Sequence, residues 1–105
     1  MTCTYWFRFH LRSRWWTVYL VEGLQAHGVW GLCFYDTRRI LVDARLSRRR
    51  REVTVLHEIM HAALAKTTRR ARAHHWAVTP AAEEAWPVLR RLGARLPELP
   101  RRLRK

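Results

Sequence analysis

Between Val53 and Leu64 the chain reads VTVLHEIMHAAL, an apolar run holding one glutamate and two histidines. Residues four apart share one side of a helix, so His57 and His61 would present two imidazoles at the spacing a single zinc ion needs. Glu58, about 100° further round, would flank that ion without binding it. Burying three ionisable groups is costly unless something compensates them, and a metal would do so. The HExxH spacing suits hydrolysis. Two neutral nitrogens hold Zn²⁺, an open position holds a water whose pKa falls to about 7, and the glutamate takes that water's proton during attack on a carbonyl. With 6 His and 6 Glu in 105 residues, chance would supply the pattern only about 0.02 times.

Such a site needs a third protein ligand. The extended pattern HExxHxxGxxH would require Gly at 64 and His at 67, and Leu64 and Thr67 exclude it. His74, His75, Glu83 and Glu84 remain. Thr79-Pro80 reads as a helix N-cap followed by proline at the first position, opening a helix with an apolar face of Ala82, Ala85, Trp86, Leu89, Leu92 and Leu96. Measured from Leu89, Glu83 falls at about +120° and Glu84 at about −140°, so Glu83 lies marginally nearer the buried side. Glu83 is therefore the favoured metal ligand and Glu84 the alternative. Acids in a first turn also serve the helix dipole, although a capping box would place the acid at Ala82. Pro87 cannot donate to the carbonyl of Glu83, which predicts a kink at that ligand. His74 and His75 would otherwise polarise a substrate carbonyl or steady an oxyanion.

The elements that must position these groups are legible in outline. A helix is expected from Ser47, its cap, to about Lys66, with Glu52 favouring the positive end of the dipole and Arg48 to Arg51 as its solvated entrance. Apolar residues surround the axis between Val53 and Leu64, so the helix should be buried. Before it, aromatic and β-branched runs between turn signals predict strands over 4–10, 15–21, 31–35 and 39–43, successive neighbours pairing antiparallel. Tyr5, Phe7 and Phe9 alternate with Trp6, Arg8 and His10, as in a strand with one wetter face. The metal would sit in a cleft edged by the strands at 31–35 and 39–43, where an extended peptide could add to the sheet.

Length and composition bound the rest. The chain of 105 residues is expected to form one domain over 1–105, with a solvated basic tail from about 97. Hydrophobic residues at 49% exclude the disordered class. No membrane span and no signal peptide can be read, so no membrane partner and a cytoplasmic location are expected. Cys3 and Cys33 could pair only on neighbouring strands, and reduced, partly buried thiols are expected. The net charge is +13, from 19 Arg and two Lys against 8 acids. That field should attract phosphate polymers and acidic partners, so nonspecific nucleic-acid contact through the Arg-rich surface is expected, although the basic blocks match no reading motif.

These stretches resemble a family. GVWGLCFYDTRRILVDARL, then VLHEIMHAAL, then TPAAEEAW look like the small ImmA/IrrE-type zinc metallopeptidases, particularly the reduced versions in phage and mobile-element sequences, over about residues 28–96. The resemblance implies an α+β, minimal zincin-like domain: a short antiparallel sheet of three or four strands, an active-site helix and a C-terminal helix. It further implies zinc held by His57, His61 and a helical glutamate matching Glu83 or Glu84, with Glu58 as catalytic base acting on a protein or peptide substrate; larger members act on repressors or regulatory proteins. Two other readings stand beside it. One is a SprT-like protease acting on DNA-bound proteins, for which His75 would be the third ligand; the other is a basic nucleic-acid-binding module with a structural or degenerate metal site.

Overall fold

A computed structural model describes residues 2–64 and 71–104, the side chains of 71–77 excepted. Four strands, β1 (Cys3–Leu11), β2 (Arg14–Val21), β3 (Gly31–Phe34) and β4 (Arg39–Asp43), precede two helices, α1 (Arg48–Leu64) and α2 (Ala71–Arg91). The fold is a small α+β arrangement.

The strands lie where the sequence puts them, but the pairing differs from the expected antiparallel succession. The order is β1-β2-β4-β3, and β2 pairs with β4 in parallel. The cause lies in residues 22–30. A 3₁₀ helix, Leu24–His27, sits between Gly23 and Gly28, both left-handed (φ 93° and 78°), and carries the chain across the sheet end. The buried Asp43 fixes this connection, its carboxylate accepting from the Gln25 and Arg45 amides at 2.9 and 2.8 Å. β3 is thereby set one strand further out, and β4 returns into the space beside β2. The central parallel pair supplies fully buried aliphatic side chains to the core, with Val18, Leu20, Ile40 and Val42 at 0–1% exposure.

The phase of β1 also departs from simple alternation. A bulge between Tyr5 and Phe7 inserts Trp6 into the register, so that Trp6 and Phe7 both turn inward while Tyr5, Arg8 and His10 face outward. The Trp6 indole N–H is shared between the carbonyls of Pro97 and Glu98, each at 3.1 Å. Leu96, Leu99 and Leu103 pack on the same core. The segment expected to be a solvated tail is therefore anchored, because a buried indole N–H needs acceptors and the tail supplies them.

Ser47 caps α1 as expected, its Oγ accepting from the Arg50 amide at 3.4 Å. Arg48, Arg49 and Arg50 are exposed, whereas Arg51 turns back to the Leu46 carbonyl at 3.1 Å. Glu52 does not serve the dipole in the first turn. It is buried and accepts from Arg90 of α2 at 3.2 Å, with Arg48 at 3.7 Å. α2 begins at Ala71, so Thr79-Pro80 is not its cap; Pro80 and Pro87 both lie inside the helix. The reason is packing. Val78, Ala82 and Trp86, four residues apart, form a buried stripe, and Ala82 and Trp86 meet Val53 of α1, which outweighs the lost amide donors.

Candidate active site

α1 crosses the inner face of β3 and β4, and its second half faces a cleft of about 460 Å³ beside β3. His57 and His61 come together there, one turn apart, with their Nε2 atoms 3.0 Å from each other. Two nitrogens held at 2.0–2.1 Å by a tetrahedral ion would be about 3.3 Å apart. The observed 3.0 Å is a hydrogen-bonding separation between the two rings and is also close to that spacing. Glu58 forms the cleft wall beside them, its Oε2 3.9 Å from His57 Nε2. At 6% exposure its carboxyl is desolvated, which raises its pKa from 4.5 to about 7.

The other proposed ligands are less closely gathered. Glu83 is exposed on α2 and lines a second cavity, of about 540 Å³, which shares Trp30, Thr54 and His57 with the first side of the site. Glu84 is exposed. His74 and His75 lie outside the residues whose side chains are described, and so does the His75 contact that would mark a SprT-like site. Among the described residues, no three of His, Cys, Asp or Glu form a group able to hold a metal ion.

Several cleft residues could not be picked from spacing. Gly31 lets β3 approach α1: a methyl group there would meet Thr54 Cγ2 at 2.8 Å and Glu58 Cγ at 3.2 Å. Its signal was present in the sequence, since glycine inside a strand marks a close approach. Cys33 and Tyr35 line the opposite wall. Burial first, and Glu58 second, push the Cys33 thiol up to about 12. Tyr35 is 42% exposed, and partial desolvation together with its neighbours Cys33 and Glu58 pushes its phenol up to about 12, so it keeps its proton and remains a donor. β1 and β3 are opposite edges of the sheet, so Cys3 and Cys33 cannot pair; both are free, and Cys3 is exposed rather than partly buried. Among the described residues no helix is long and apolar enough to cross a membrane.

No curated protein and no solved structure matches the chain. The family model described as Peptidase_M78, IrrE N-terminal-like domain, matches residues 17–85, which run from β2 to the middle of α2 and leave β1 and the anchored C-terminal segment outside. That span contains His57, Glu58, His61, the β3 wall and both candidate glutamates, so the chain belongs to the M78 peptidase family of IrrE N-terminal-like domains.

Proposed function

We propose that this protein is a zincin-like, zinc-dependent peptidase that hydrolyses peptide bonds in an extended segment of a protein substrate. The observation that carries the reading is the facing pair of His57 and His61 Nε2 atoms beside the desolvated Glu58, in a cleft bordered by an edge strand.

His57 and His61 would hold the ion, with Glu83, or Glu84 in its place, as the third ligand; both histidine nitrogens and a carboxylate belong to the donor chemistry zinc accepts. Bound there, zinc would supply positive charge that acidifies water and polarises a carbonyl. The remaining work falls to the chain. Among the described residues β3 pairs with β4 alone, which leaves its other edge for an added strand, and a peptide laid along it would run past α1 at Glu58. Glu58, with a pKa near 7, is matched to take a proton from the attacking water and return it to the leaving amine. Tyr35, which retains its proton, is a hydrogen-bond donor for charge developing on the carbonyl oxygen. Trp30, exposed at 45%, lines both cavities.

The test is hydrolysis of an unfolded protein such as reduced casein, followed by mass spectrometry, with zinc supplied. Cleavage by the wild type that falls at least a hundredfold in Glu58→Gln and disappears in His57→Ala is expected. Undiminished cleavage in His57→Ala would remove the mechanism.

A further inference from the structure

α1 and the C-terminal segment pack on one face of the sheet, and the other face has an unusual composition. Residues paired across strands share a face. Beyond the Cys3, Val21 and Asp43 end, the register therefore sets three outward rows: Tyr5, Tyr19, Leu41 and Leu32; Arg8, Thr17, Arg39 and Phe34; and His10 with Trp15. The 3₁₀ helix covers only the end at Val21 and Asp43, both buried. Elsewhere on the face Thr17, Tyr19, Leu32 and Leu41 are half-buried and the residues around them are exposed. Tyr5 and Trp15 are 52% and 53% exposed, Phe34 46%, and Arg8, His10 and Arg39 are exposed.

The aromatics and cations are interleaved and already ordered against each other. The Arg8 guanidinium lies over the Trp15 ring at 4.4 Å, His10 tilts against the same ring at 4.9 Å, and Tyr5 meets Tyr19 edge-on at 6.3 Å. From Tyr5 to Trp15 the strand rise spans roughly 15 Å, room for more than one base. The Trp6 bulge creates this arrangement, because it turns two bulky aromatics inward together and leaves Tyr5 in phase with Arg8 and His10 on the outside.

We propose that this outer face binds a single-stranded nucleic acid, with bases stacking on Trp15 and Tyr5 and phosphates meeting Arg8 and Arg39. Stacking on exposed rings combined with a positive track is the chemistry that holds unpaired strands. A duplex hides its base faces and would engage only the arginines. A second copy of the chain fits poorly, since each copy carries +13 and a two-fold contact would oppose arginine-bearing faces. The surface lies on the opposite side of the sheet from His57 and Glu58, and the inference is independent of the peptidase reading.

The experiment is fluorescence anisotropy with labelled dT15, a 15-bp duplex and labelled polyglutamate, on the full chain, with circular dichroism confirming the fold of each variant. The expected result is binding of dT15 at least tenfold tighter than of duplex or polyglutamate. Trp15→Ala and Tyr5→Ala should each weaken dT15 about tenfold, while Trp15→Phe stays near wild type. Arg101→Ala/Arg102→Ala, on the helix side, should weaken all three probes alike and leave the preference for dT15 intact. Equal binding of dT15 and duplex, polyglutamate bound as tightly as dT15, no dT15 binding, or unchanged affinity in Trp15→Ala would each overturn the proposal.

Discussion

Gly31 on β3 and Glu58 on α1 are in such close approach that a single added carbon on Gly31 would lie 3.2 Å from the Glu58 Cγ and 2.8 Å from Thr54 Cγ2. The strand that edges the cleft and the side chain proposed as its base therefore hold each other in place. Gly31→Ala must move one of them. A cost of about 1–3 kcal/mol is expected from overpacking, with a fall in hydrolysis larger than the loss of folded protein explains. Thermal melts and rate measurements on the same samples separate the two effects.

Glu58 ties the site to pH. Its folded pKa, about 7, lies above its ordinary 4.5. The folded chain thus keeps this proton between about pH 4.5 and 7 while the unfolded chain has lost it, and stability contributed by the protonated group declines as pH rises through that window. In metal-free protein the melting temperature of wild type should drop between pH 5 and 7.5 by more than that of Glu58→Gln. The difference at pH 8 should be on the order of 2–3 kcal/mol in favour of the variant. Equal pH profiles would mean that the carboxyl is not desolvated.

The link between the helices runs through Glu52, buried on α1, and Arg90 on α2. Arg90 is partly solvated, so Glu52→Gln should cost about 1–3 kcal/mol, most of it from uncoupling α2. Arg48→Ala, which removes the exposed partner at 3.7 Å, should cost much less. Chemical denaturation of the two variants checks the order.

The two thiols should differ in reactivity. Cys3 is exposed on the outer edge strand, while the Cys33 thiol is pushed up to about 12. At pH 8 iodoacetamide should label Cys3 at least tenfold faster than Cys33, because the thiolate is the nucleophile. Peptide mapping during a time course reads this directly.

The HEIMH spacing placed His57 and His61 side by side because a helix has a fixed period, and the structure brings their nitrogens to 3.0 Å. The strands were legible from local composition. Their order was not, since nothing local to residues 22–30 says that β3 passes over one strand position before β4 returns. Simple alternation puts Trp6 on the face of Arg8 and His10, and the bulge, which breaks the period of two, turns it inward. Thr79-Pro80 has the chemistry of a helix start, yet the stripe Val78, Ala82, Trp86 carries α2 through it. The wall formed by Gly31, Cys33 and Tyr35 comes from nonlocal packing, and only the strand glycine announced it.

A metal ion held by His57 and His61 is the central requirement of the proposed chemistry, and the most direct measurement is elemental analysis of protein purified without chelator or added zinc. About one zinc per chain in the wild type is expected, lost in His57→Ala and in His61→Ala and reduced in Glu83→Ala or Glu84→Ala, whichever removes the third ligand. A folded wild-type chain that contains no zinc and takes up none when it is offered would contradict a metal site at His57 and His61.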